Sequence, residues 1–175
     1  MWQLQAKALI KEFEGLSLKT YKCLGGCNTI GYGHVIKNTT EDALFKNGID
    51  ASEAETLLLN DMNIANQALV RLVSVPLNSH QRAALVSFVF NVGSGAFQAS
   101  TLRQKLNRGE YNPAAEQFLK WIHGGGRQLP GLVRRRHAER ELFLREDQLA
   151  APSTAKPKLS VWQQLAAFFA DQLKR

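Results

Sequence analysis

Acidic residues are missing from two long stretches of this 175-residue chain. None occurs from Gly15 to Thr40, and none between Asp61 and Glu110, although Arg71, Arg82, Arg103, Lys105 and Arg108 fall inside the second gap. Over the whole chain 22 Lys and Arg outnumber 15 Asp and Glu, for a net charge of +7. Such a balance points to an anionic partner such as nucleic acid, an acidic membrane or an acidic polymer like a cell wall; a plain solvated basic face is the alternative. Cysteine is scarce. Two residues, Cys23 and Cys27, are too few for a disulfide framework, and no second Cys/His pair stands at a spacing that would complete a zinc site. Long hydrophobic runs are absent from the start of the chain. Met1 to Ile10 contains Gln3, Gln5 and Lys7, which excludes an apolar signal core or a span of ~20 residues. The expectation is a protein made and kept soluble in a cytoplasm.

What is present reads as α+β, with two lobes. Leu4, Ala8, Leu9 and Phe13, with Ile10 beside them, predict a first helix that stops at Gly15. Residues 17–35 alternate and bend at Gly25-Gly26, the pattern of a small β-hairpin lobe. Ser52-Glu53-Ala54-Glu55 reads as a capping box opening a long helix through Leu57, Leu58, Met62, Ala65, Leu69 and Leu72. Helices are then predicted over roughly 79–91, 96–107, 113–122 and 132–146, forming a second lobe, with the long helix as the bridge. The catalytic unit is placed at 1–147, a Pro/Ala/Ser/Lys linker at 148–158, and a C-terminal helix at 159–175. That last helix carries Trp162, Leu165, Ala166, Phe169 and Leu173 on one face. It would either lie in an anionic membrane interface or dock on the preceding lobe.

The stretch EGLSLKTYKCLGGCNTIGYGH, residues 14–34, poses a chemical question. Enzymes that cleave sugar polymers commonly pair two carboxylates. Here Glu14 stands alone, at the C-terminal end of its helix, where the negative end of the macrodipole disfavours a carboxylate and so helps a general acid keep its proton.

Glu14, eight residues, Cys23, five residues, Thr29 resembles the catalytic signature of phage-type lysozymes (glycoside hydrolase family 24), whose pattern is Glu, eight residues, Asp or Cys, five residues, Thr. The resemblance continues through GIDASEAETLLLND, SFVFNVGSGAFQASTLRQKLNRGEY and LPGLVRRRHAERELF, and covers roughly residues 7 to 145. It implies hydrolysis of the β-1,4 bond between N-acetylmuramic acid and N-acetylglucosamine in peptidoglycan. Glu14 would be the general acid, while Cys23 and Thr29 would activate and position a water on the other sugar face, with ~6.5–9.5 Å between the two sides. Covalent attack by the sulfur is the other route open to Cys23. The thiolate is the useful form, and a free thiol at ~8.5 is mostly neutral at pH 7, so the site must favour ionisation.

Tyr32, Phe90, Asn91 and Arg135 are the candidate substrate contacts on this resemblance, which also implies that one arginine of Arg134, Arg135 and Arg136, taken as Arg135, pairs with the catalytic Glu14 and fixes its side chain. His34 matches a structural histidine that pairs with an acid beyond the long helix, a pairing that the acid-free stretch from 62 to 109 suggests is lost or replaced. If residues 23–27 form a tight hairpin turn, Cys23 and Cys27 would face each other and could close a disulfide. The family implies an endolysin, acting as a monomer without metal or cofactor. It would reach the wall or periplasm through a holin-type pore, and it would not bind nucleic acid. A lytic transglycosylase acting on the same bond, or an inactive wall-binding protein, are the rival readings.

Overall fold

The architecture is that of a computed structural model, which describes residues 1–23 and 25–146. The expected linker and C-terminal helix therefore lie outside the described residues. The first helix, α1 (Trp2–Glu14), ends at Gly15, whose φ of 69° lets the chain turn out of the helix while its N–H still reaches the Lys11 carbonyl. Its buried line differs from the expected one. Ala6, Leu9 and Ile10 point inward with Phe13 half-buried, whereas Leu4 is 74% exposed and Ala8 is exposed too. The line 6, 9, 10, 13 keeps helical spacing just as 4, 8, 9, 13 does, and only the packing partner decides between them.

Strands β1 (Ser17–Lys22), β2 (Asn28–Gly31) and β3 (His34–Val35) form an antiparallel sheet in that order. The register sets Tyr21 opposite Thr29 and Lys22 opposite Asn28, with an irregularity between Ser17 and Tyr21. A short helix, α2 (Thr39–Leu44), follows; Asn38 caps it by accepting from the Glu41 N–H. At six residues it has too few turns to show a period, which is why the sequence did not signal it.

The long helix α3 (Ala51–Leu72) is as expected, but its capping box is Asp50 with Glu53. Asp50 adopts the extended backbone of an N-cap and accepts from the Glu53 N–H, and Glu53 returns the contact. Ser52 is thereby already inside the helix, and Glu55 is free for other partners. With 22 residues, α3 is about 33 Å long. It packs beside β2 and β3 at one end and reaches the helical lobe at the other. The fold is the expected α+β arrangement of two lobes bridged by one helix.

The second lobe is built around α4 (Ser79–Val92), capped by an Asn78–Gln81 box and buried without interruption from Ala83 to Val89. Around it stand α5 (Ser94–Ala99), α6 (Thr101–Asn107), α7 (Tyr111–Phe118) and α8 (Pro130–Phe143). Phe88 meets Phe97, Phe118 and Trp121 edge to face at its centre. The single helix expected over 96–107 is two. Ser100 donates to the Phe97 carbonyl and accepts from the Arg103 N–H, closing one helix and capping the next. The helix expected over 113–122 starts at Tyr111 and stops at Phe118, and the Gly-rich loop after it holds a hairpin of β4 (His123–Gly124) and β5 (Arg127–Gln128). Pro130 opens α8 at the first helical position, two residues before the expected start.

Candidate active site

Glu14 is the last residue of α1, so the helix end delivers its side chain to the junction of the lobes. Its two oxygens have different surroundings. Oε1 accepts from Nη1 of Arg135 at 2.5 Å. Oε2 lies against the turn between β2 and β3, where a Cβ added to Gly33 would come within 3.4 Å of it. Gly33 has a φ of +91°, so the turn needs glycine both for its backbone and for the space beside the carboxyl.

Across from this helix end, Cys23 follows β1 and opens a tight turn. Its N–H donates to the Cys27 carbonyl at 3.0 Å, and the Gly26 N–H donates to the Cys23 carbonyl at 2.9 Å. Thr29 is buried in β2, its hydroxyl donating to the Cys27 carbonyl at 3.2 Å. The Cys23 thiol is held below its ordinary pKa, first by the backbone N–H of Cys27 and then by that of Gly25. The Thr29 hydroxyl and the Cys27 thiol add to this, against the opposing effect of desolvation. Both cysteines are free thiols, so the disulfide considered from sequence is not formed; the turn brings the pair together by hydrogen bonds instead. Tyr21 joins this group. Burial raises its phenol pKa, and the negative charges of Glu14 and Cys23 raise it further, so the ring stands in the field of both. Sequence reading passed over Tyr21. The available signal was its place two residues before Cys23, on the same side of the strand.

Behind Glu14 lies a buried ionic chain. The Arg135 side chain is only 3% exposed and donates Nε to Glu139 Oε1 at 3.0 Å. Its Nη2 donates to the Ser87 carbonyl at 3.2 Å. Arg136 donates to Glu139 Oε2, to Asn91 Oδ1 and to the Trp121 carbonyl, and its guanidinium lies 4.7 Å from the centre of the Phe88 ring. Burial pulls the Arg136 pKa down, and Glu139 pulls it back up.

Two openings lie near the carboxyl, one lined by Glu14 itself and the other by Gly33 beside it. A groove of about 270 Å³ is lined by Glu12, Phe13, Glu14, Asn91, Leu129 and Arg134. A hollow of about 410 Å³ is lined by Gly33, Val35, Lys37, Asp61, Phe90 and Ser94. Among the described residues, no group of three or more His, Cys, Asp or Glu could hold a metal ion, and no helix is long and apolar enough to cross a membrane.

The family profile described as Phage lysozyme matches residues 11–139. The chain belongs to the phage lysozyme family. It is 42% identical over 139 residues to the endolysin of Acyrthosiphon pisum secondary endosymbiont phage 1, covering 77% of this chain and 92% of that one. Against the endolysin of Salmonella phage P22 the identity is 38% over 146 residues, covering 82% and 99%. It also matches the endolysin of Bacillus phage B103 at 43% identity over 155 residues, 87% of this chain but 57% of that longer one. Among solved structures, the muramidase domain of SpmX from Asticaccaulis excentricus aligns with a TM-score of 0.69 at 34% identity, covering 81% of this chain and 95% of that one. A mutant of P22 lysozyme aligns with a TM-score of 0.68 at 37% identity, covering 80% and 95%.

Within this phage lysozyme fold the remaining candidates separate. Phe90 lines the hollow and Asn91 the groove, where Asn91 gives its carbonyl oxygen to Arg136. Tyr32 does not fit a role as a sugar contact. It is 8% exposed, with Lys11 4.9 Å from its ring centre and its hydroxyl 3.5 Å from Glu55, because the glycines on either side turn its ring into the core. Of the three arginines it is Arg135 that pairs with Glu14, as expected from the resemblance; its donors are occupied by Glu14, Glu139 and Ser87 rather than turned to substrate. For His34 the pairing is replaced rather than lost, the second of the two expected outcomes. His34 Nδ1 lies 2.8 Å from Oδ2 of Asp61, an acid within α3 itself rather than beyond it.

Proposed function

We propose that the protein is an endolysin that hydrolyses the β-1,4 bond between N-acetylmuramic acid and N-acetylglucosamine. Membership of the phage lysozyme family supports the coarser part of this reading, a peptidoglycan hydrolase acting on the cell wall. The observation that carries the finer part is the asymmetry of Glu14: one oxygen is fixed by Arg135, while the other lies beside Gly33, a residue with no side chain to crowd it. A carboxyl held in this way can present a proton on Oε2 to the oxygen of a bound glycosidic link.

The reaction then runs by inversion. Glu14 gives its proton to the leaving oxygen as the bond to the anomeric carbon breaks. A water on the opposite sugar face attacks that carbon and passes a proton to the Cys23 thiolate, with Thr29 helping to hold the sulfur in its ionised form. Exchange with solvent returns one proton to Glu14 and removes one from Cys23. In this reading the reduced state, with both thiols free, is the working enzyme. A basic chain meeting a wall rich in carboxylates gains encounter rate, an advantage that added salt removes.

The test is digestion of purified peptidoglycan by wild type, Glu14→Gln, Cys23→Ser and Cys23→Asp, followed by mass analysis of the sugar ends. Expected are reducing muramic acid ends from wild type and Cys23→Asp, and little product from the other two. Anhydro-muramic ends would identify a transglycosylase. An active Glu14→Gln would remove Glu14 from the chemistry.

A further inference from the structure

The guanidinium that holds Glu14 is itself held from behind. One edge of Arg135, formed by Nε and Nη2, rests on Glu139 Oε1 at 3.0 Å and on the Ser87 carbonyl at 3.2 Å, leaving Nη1 to reach Glu14. Glu139 is 0% exposed. Its Oε1 also accepts from the Ser87 hydroxyl at 2.8 Å, and its Oε2 accepts from Arg136. A carboxylate taken wholly out of water persists only when its lone pairs are met by charged or strong donors, and here three side chains meet them. Its position is also specific. Glu139 lies one turn along α8 from Arg135, so a single helix sets both residues in one register.

We infer that Glu139 is a positioning residue for the reaction proposed above, gripping Arg135 from the side opposite Glu14 and taking up part of its positive charge. The inference rests on the reading of Glu14 as the acid. Arg135 divides one positive charge between two carboxylates. Without Glu139 the guanidinium loses the contact that fixes its plane and is free to turn about the bond to Glu14. Glu139 faces Arg135, Arg136 and the hydroxyl of Ser87 from α4. Because Glu139 is buried, substituting it removes no substrate contact, so its effect belongs in kcat rather than in KM.

The experiment compares wild type, Glu139→Gln, Ser87→Ala and Glu14→Gln as full chains. It measures kcat and KM on soluble peptidoglycan fragments across pH, and records the arginine Nε–H signals by nitrogen-edited NMR. Glu139→Gln is expected to lower kcat about tenfold with KM within about twofold, the loss of one orienting charged hydrogen bond. The Arg135 Nε–H signal should stay sharp in Glu14→Gln and broaden in Glu139→Gln. A folded Glu139→Gln with the wild-type kcat, or with its loss in KM, overturns the inference. If Glu139→Gln does not fold, Ser87→Ala decides. It keeps every charge and removes one of the contacts that hold Glu139, so kcat should fall about threefold; an unchanged kcat overturns the positioning role. Failure of the underlying reading looks different: Glu14→Gln would remain active, while the Nε–H signals would still report whether Glu139 grips Arg135.

Discussion

Replacing Gly33 by alanine would put a methyl group in the space beside the Glu14 carboxyl, and its cost can be worked out in two parts. The backbone part comes from φ = +91°, a region where an L side chain costs about 1–2 kcal/mol. For a chain of this size each kcal/mol lowers the melting point by roughly 2–4 °C. The second part is local. The new carbon would stand 3.4 Å from Oε2 and 3.7 Å from Cδ of Glu14, at the near limit of ordinary contact, so the carboxyl is pressed from this side and yields by a few tenths of an ångström at most. It cannot simply slide away, because Arg135 holds Oε1. A misplacement of ~1 Å costs about a hundredfold in rate, so a shift of this kind predicts a fall of about tenfold, near 1.4 kcal/mol in barrier. Gly109→Ala is the control. Its φ is +77° with nothing within 4 Å of the added carbon, so it bears the backbone cost and touches no catalytic group. Thermal melts and initial rates per folded molecule should show two variants of similar stability, of which only Gly33→Ala is slow. Equal rates for the two would refute the placement of Glu14 Oε2 beside this turn.

Three further outcomes follow from the structure. Cys23 is held below its ordinary value of 9.0, so the acid limb of activity, where the thiolate takes up a proton as pH falls, should lie below that value; pH–rate profiles should show it move toward about pH 4 in Cys23→Asp and upward in Thr29→Val. Asp61→Asn should cost about 1–3 kcal/mol by weakening the half-buried contact with His34, and a double-mutant cycle with His34→Asn that gives no coupling would contradict the pairing. Phe88→Ala should lower stability by about 3–5 kcal/mol in urea titration, since it empties the centre of the aromatic cluster and uncovers Arg136.

How far the sequence could be read depended on how local each feature was. Glu14, Cys23 and Thr29 lie within sixteen residues on one helix end and one hairpin, so the resemblance of that short stretch to the family signature could group them. The contact of Arg135 with Glu14 spans 121 positions and depends on the rotation of α8. That rotation carries a surprise for pattern reading: Arg135, Arg136 and Glu139 share the inward stripe with Leu142 and Phe143, at positions normally filled by apolar residues. A run of three arginines looks like surface, and only Arg134 is exposed. The same weakness explains Tyr32, a polar-tipped ring read as facing a cleft when the turn folds it inward. For α1, two overlapping stripes fitted the sequence equally, and the packing of α4 chose the one through Ala6.

The displaced capping box of α3 has a mechanical consequence. Because the helix begins at Ala51, Glu55 sits one turn in and binds Lys7 and Lys11 of α1 together, with the Tyr32 hydroxyl close by. These charges hold Lys11 above and Glu55 below their ordinary pKa values, each chiefly through the hydrogen bond to the other. The helix that ends in the acid is thus stapled to the sheet-side end of the bridge. Its other end is tied to the second lobe, since α1 packs on α4 and Glu14 is held by Arg135 of α8. One helix thus fastens the sheet side to the helical side at the place where Glu14 emerges. Salt would loosen the staple as well as the grip on the wall, so ionic strength would act on the junction and on docking together.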